Sequence, residues 1–412
     1  MLAISKDFAP PLKLIAPFFK VGVGFYLLAM MSLLAFDATF SYQEFSIAGW
    51  IHLYLLGFVM IIIFGAMAQL IPVVLEVGHA VVDLYYVILP LLGIGTVVMV
   101  GGFWINPILL TYGGLLVLIS MIIFAFEALV TLKKTERKSL TVKTVLVSNA
   151  YLLLGILTGF TIALGFSGAV SIDTDSFIKA HVYAVLGGFV LLTIMGLSLT
   201  LIPMFSLAHG FDETPIKKGF NIISLGVGAV FIGALLGENL VQILGYLITM
   251  VGVVLYLYQI YIIYELTVRK EMDIWAKSLM FAFASLIISL FLGAISLLGM
   301  GNNWLHASVW FYMVGFIGFI INGHLYKIVP FLVWFERFSP LVGKEPVPMF
   351  GQMYPKDKAE MLFWFSSIGT VLGGIALLIE SDFMFKSSAS LLFVGAIFLY
   401  LSMSNMLAYG KK

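Results

Sequence analysis

The sequence contains no cysteine, and only 10% of its 412 residues are charged. Without thiols there is no disulfide, no iron–sulfur cluster, no thiolate copper site and no covalently attached c-type haem. A chain this poor in charge, with 62% hydrophobic residues, cannot cover a water-soluble domain of its length. The formal net charge of +1 gives no electrostatic footprint for nucleic acid. Walker, Rossmann and HExxH patterns are absent. Acids inside apolar segments are few. Glu127 is expected to be solvated near one membrane surface, and Glu265 ends an apolar run. No file of carboxylates crosses the membrane, and no short broken helices recur in matched halves, so neither an acidic proton channel nor a secondary transporter is indicated. The first apolar stretch, near 14–36, is followed by no small-residue cleavage site, so a cleavable signal peptide is not expected.

What the chain does have is long apolar runs and 40 glycines. A span needs roughly 17–25 mostly apolar residues. That rule predicts helices near 14–36, 50–74, 84–104, 107–132, 144–168, 178–205, 218–236, 240–264, 276–299, 305–333, 359–379 and 386–408. The runs are too long, and alternate too little, for barrel strands. With twelve spans, Lys6, Lys133, Lys134, Arg137, Lys138, Lys217, Lys218, Arg269, Lys270, Lys277, Arg337, Lys344, Lys356, Lys358, Lys411 and Lys412 fall on one face. The opposite loops hold Asp37, Glu44, Asp173, Asp175, Glu238, Glu380 and Asp382, with Lys179 and Lys386. The positive-inside rule then places both termini in the cytoplasm, and the membrane is expected to be a bacterial inner membrane. The tyrosines Tyr256, Tyr258, Tyr261 and Tyr264 read as an interfacial belt.

Helices two, six and ten share a pattern. They run from His52 to Pro72, from His181 to Pro203 and from His306 to Pro330. Each carries Gly-Phe fifteen residues before its proline, at Gly57-Phe58, Gly188-Phe189 and Gly315-Phe316, and a second glycine at Gly65, Gly196 or Gly323. The offsets of 131 and 127 residues correspond to four helices. The expected fold is therefore all-α and integral to the membrane. It is a single domain over 1–412, built of three four-helix repeats near 10–138, 139–270 and 271–412 with pseudo-threefold symmetry. The glycines read as close-packing points, and the prolines as breaks at the cytoplasmic helix ends.

Only six histidines are present. His52, His181 and His306 sit at corresponding outer ends of the three marked helices, where an imidazole can ligate haem iron or copper or simply cap and hydrogen-bond. His79 and His209 read as loop residues. His324 lies inside helix ten, three residues from Lys327, and needs a partner there.

At this point the sequence resembles a family. Twelve helices in three arcs of four is the plan of the catalytic subunit of haem–copper oxygen and nitric-oxide reductases. GFIINGHLYKIVP, from Gly318 to Pro330, resembles the tenth helix of C-type members. AHVYAVLGGF, from Ala180 to Phe189, resembles their sixth, where a histidine binds copper. WIHLYLLGF, from Trp50 to Phe58, with Gly65 and Pro72, is similar to the NnrS family of haem- and copper-containing proteins linked to nitric-oxide stress. The departures are as informative. With one histidine on helix six and none in residues 218–236, a complete binuclear centre cannot be assembled, and Trp310 occupies the low-spin haem ligand position. The resemblance implies a haem between helices two and ten, ligated by His52 and His306 and packed by Trp50 and Trp310. His181 would hold a second metal such as copper. It implies redox sensing, nitric-oxide response or electron transfer without terminal oxidase activity, with an electron donor or partner membrane subunit in the bilayer. The competing expectation is that these metal sites have decayed, leaving a transport, binding or assembly component.

Overall fold

The computed structural model describes residues 10–40, 44–136 and 139–411. Lys6, Arg137, Lys138 and Lys412, which contribute to the orientation argument, lie outside the described residues. Among the described residues there is no strand, and twelve helices are long and apolar enough to cross a membrane. They are α1 (Leu12–Ala35), α2 (Phe45–Leu75), α3 (Val82–Trp104), α4 (Ile108–Leu132), α5 (Leu140–Phe166) and α6 (Thr174–Ser206). The remainder are α7 (Thr214–Leu235), α8 (Asn239–Glu265), α9 (Ile274–Leu297), α10 (Asn302–Arg337), α11 (Lys356–Ile379) and α12 (Asp382–Ala408). The shortest has 22 residues and the longest 36, against about 20 for a span.

The chain divides into two units. One is 67–270 and holds the end of α2 with α3–α8; the other is 10–66 with 271–411 and holds α1, most of α2 and α9–α12. In the first unit α3 packs on α4 and α7 on α8; in the second α11 packs on α12 and α1 on α12. Polar side chains start several helices. The Ser139 hydroxyl accepts from the Val142 amide ahead of α5, and the Asp273 carboxylate accepts from the Ala276 amide ahead of α9, each satisfying a donor that the first turn leaves open.

The marked helices α2, α6 and α10 are the most buried of the twelve: 89%, 67% and 72% of their apolar windows are covered, against 50% or less elsewhere. Each changes from α to π geometry just beyond its histidine-bearing end, over Leu53–Met60, Tyr183–Leu191 and Phe311–Ile317. The sequence alone gave no sign of these interruptions. All three Gly-Phe pairs fall inside them.

The glycines sit where the preceding odd-numbered helix comes closest. A Cβ on Gly57 would lie 2.6 Å from the Phe25 ring, and one on Gly65 2.6 Å from Phe18 Cβ. In α6 the corresponding clashes are Gly188 with Tyr151 and Gly196 with Thr144 at 2.5 Å. In α10 they are Gly315 with Ser285 at 2.6 Å and Gly323 with Ser278 at 2.7 Å. On α1, α5 and α9 alike the two contact residues are seven positions apart, two turns of helix. Pro72, Pro203 and Pro330 do not end their helices, which continue to Leu75, Ser206 and Arg337. A proline removes one amide donor but leaves the following turns free to form.

Candidate functional site

Helices α2 and α10 meet through an aromatic column within the second unit. Trp50 and Trp310, each 1% exposed, stack with ring centroids 6.2 Å apart and planes 20° from parallel. Trp50 also stacks on Tyr54 at 5.8 Å, while Trp310 meets Phe385 at 5.7 Å. Phe385 packs against Phe40, and Phe40 stacks on the His306 ring at 5.8 Å. Both indoles are satisfied: Trp50 Nε1 donates to the Ala29 carbonyl at 3.1 Å and Trp310 Nε1 to the Thr370 carbonyl at 2.9 Å. Tyr54 ties the two π segments together. Its hydroxyl donates at 2.9 Å to the Met313 carbonyl, which also takes the Gly318 amide five residues on. The wider turn leaves this oxygen open to a second donor.

The residues between α2 and α10 do not fit a haem. The Trp50 ring faces α10, and in an α-helix a residue two positions on points about 200° away. His52 accordingly is partly exposed, and its Nδ1 donates to the Ala48 carbonyl of its own helix at 2.7 Å. The rings expected to pack a haem instead pack each other. His181 is held in the same way in the first unit, its Nδ1 donating to the Gly155 carbonyl at 2.7 Å, with its ring edge against Gly159. Among the described residues no group of three or more potential metal-ligating side chains converges.

His324 is buried, donates from Nδ1 to the Ile320 carbonyl at 2.8 Å and meets the Trp275 ring edge-on. Lys327 does not snorkel freely. Its ammonium pairs with Asp273 at 2.5 Å and lies 5.5 Å from the centre of the Trp275 ring. The tyrosine belt is also incomplete: Tyr258, Tyr261 and Tyr264 are exposed, but Tyr256 is buried and shares a 2.7 Å hydrogen bond with Ser198.

His79 is the loop residue expected, but the expectation for Glu127 is overturned. Glu127 is fully buried, not solvated, and the His79 side chain is 2% exposed although it belongs to a loop. His79 Nδ1 lies 2.9 Å from Glu127 Oε1 and Nε2 2.6 Å from the Ala68 carbonyl. The same carboxylate oxygen accepts from Thr131 Oγ1 at 2.6 Å and the Ala80 amide at 3.2 Å, and Tyr85 Oη lies 3.4 Å from Oε2. A buried charge survives only with such partners. The available sequence signal was a lone acid within an apolar span.

No protein-family model matches the chain, and no curated protein matches it.

Proposed function

We propose that this chain is a membrane protein of three four-helix repeats, on the plan that haem–copper oxidase subunit I also resembles. Its space between α2 and α10 is given to aromatic packing, and it serves as a cofactor-independent binding, transport or assembly component of the membrane. The observation that carries this reading is the Trp50–Trp310 stack, which fills the position where the resemblance would put a haem. Equivalent glycine contacts in α2, α6 and α10 support the repeat plan, and the basic loops support cytoplasmic termini in an inner membrane. A second reading keeps haem or copper on His52, His181 and His306, because all three precede a π segment, a geometry common at functional sites.

Oxidised and dithionite-reduced absorption spectra of protein from haem-replete cells, with copper and iron analysis, separate the two. Colourless, metal-free protein is the expected result. A Soret band lost in the His52→Ala/His306→Ala double variant would overturn the proposal and install the haem reading.

A further inference from the structure

The buried pair in the first unit stands apart from the aromatic column and from the metal question. Both ring nitrogens of His79 face acceptors. On one side is the Ala68 carbonyl at 2.6 Å; on the other is Glu127 Oε1 at 2.9 Å. That carboxylate oxygen already receives the Thr131 hydroxyl and the Ala80 amide. An ionised carboxylate oxygen accepts several donors at once and donates none, which suits a proton carried by Nδ1 between the two side chains. With a proton on each ring nitrogen both acceptors are met, and the pair is then an imidazolium bound to a carboxylate.

The second repeat shows that the fold does not need this ion pair. Gly95 of α3 meets Val117 of α4, and Gly226 of α7 meets Thr249 of α8, in matching helix crossings. Ten residues further along, from 117 and from 249, stand Glu127 and Gln259. Gln259 also clasps the loop before its partner helix. Its Oε1 accepts from the Ile216 amide at 3.3 Å and its Nε2 donates to the Asp212 carbonyl at 2.9 Å. One neutral amide both accepts and donates. A carboxylate only accepts, so in the first repeat the donor must be a ring on the loop that carries an extra proton.

We propose that His79 and Glu127 form a proton-binding site whose occupancy fastens the loop after α2 to α4. The ligand is one proton from the aqueous phase on that side of the membrane. When it leaves to water the pair changes from neutral to a net charge of −1. The ring then has a single N–H for two acceptors, and the loop loses either Ala68 or Glu127.

The groups that meet the site come from each neighbouring element. The end of α2 contributes the Ala68 carbonyl. From α3, Tyr85 supplies its hydroxyl and, at 5.2 Å, its ring. Besides Glu127, α4 gives Thr131, and just beyond its end Lys134 donates to the His79 carbonyl at 3.1 Å. Glu76, in the same loop, and Asp83, in the first turn of α3, are exposed. Release therefore requires only local opening of a surface segment, a low-cost motion compared with unfolding a span.

The test uses the full chain in lipid nanodiscs with ring-¹⁵N histidine, and a His79→Asn variant assigns the signal. The wild type is expected to show both His79 nitrogens protonated wherever the loop is held. The absence of native cysteine allows a single spin label at Val81→Cys, an exposed position. Its mobility should rise on alkaline titration together with the loss of the His79 proton. Glu127→Gln, which copies Gln259, should lose that pH response while keeping the label immobile. A singly protonated His79 in the wild type while the label is immobile would overturn the proposal. So would a label whose mobility follows pH equally in Glu127→Gln. The wild-type nitrogen spectrum decides the protonation state whether or not the variant folds.

Discussion

Replacing Trp310 with alanine empties the space between α2, α10 and α11. The indole is 1% exposed, stacks on Trp50, touches Phe385 and donates to Thr370. Gly373 is bare where the ring lies against α11, and a Cβ there would overlap it. In soluble cores such a truncation costs ~3–5 kcal/mol. Between membrane helices the transfer part of that cost is weaker, because lipid tails are as apolar as the core. What remains is lost dispersion around an unfilled void, so the expected destabilisation is about 2–4 kcal/mol. Of this, about 0.5–1.5 kcal/mol should appear as coupling to Trp50 in a double-mutant cycle with Trp50→Ala. Equilibrium unfolding in mixed micelles, followed by tryptophan fluorescence, measures both quantities. A loss below ~1 kcal/mol with no coupling would mean that the rings do not fill this space. The objection to a planar cofactor between α2 and α10 would fall with it.

Leucine at Gly188 or Gly315 should abolish folded protein or force α5 or α9 outward, whereas leucine at Gly93, where an added Cβ meets nothing within 4 Å, should be tolerated; yield of monodisperse protein reads the contrast. Asp273→Ala should cost about 1 kcal/mol more than Asp273→Asn, because asparagine keeps the α9 cap that alanine loses. Both variants strand the partly buried Lys327 charge, and chemical unfolding in detergent compares them. The Asp212 carboxyl, outside the spans, is held below its ordinary value of 3.8 by the Thr214 hydroxyl and amide. Its contribution to the turn before α7 is present above that value and is lost as pH falls through the lower folded-state value. An NMR titration midpoint at or above 3.8 would contradict this geometry.

The twelve spans were legible because apolar length is a property of each segment alone. Their ends moved by a few residues, furthest at the start of α2. The glycine register in α2, α6 and α10 was legible for a related reason: close approach leaves a bare position that recurs with the crossing. Side-chain direction was not legible. His52 and Trp50 are two residues apart and serve opposite sides of one helix, and hydropathy says nothing about which side meets α10. The π segments were also hidden, since any of these apolar residues can form either ladder and tertiary packing selects between them. Glu127 looked solvated because its depth in α4 lies near a surface. The loop carrying His79 folds back over it, a long-range contact that no local pattern encodes.

The proposed repeats also separate scaffold from chemistry. Features shared by all three answer a demand common to all three, and the glycine approaches in α2, α6 and α10 are of this kind. The histidines His52 and His181, each held by a backbone carbonyl, behave the same way, which weakens the case that their alignment records a metal. A feature found in one repeat has no such explanation. At the position ten residues beyond the helix crossing, the repeats carry Glu127, Gln259 and Ser402; Ser402 follows the Gly369–Leu392 contact by the same interval. The three side chains are buried, so each demands partners, and the carboxylate is the most demanding because its charge must be compensated. In the first repeat a second titratable group, His79, meets that demand. An ion pair in place of an amide that already holds a loop adds nothing that packing requires, and what it does add is dependence on a proton.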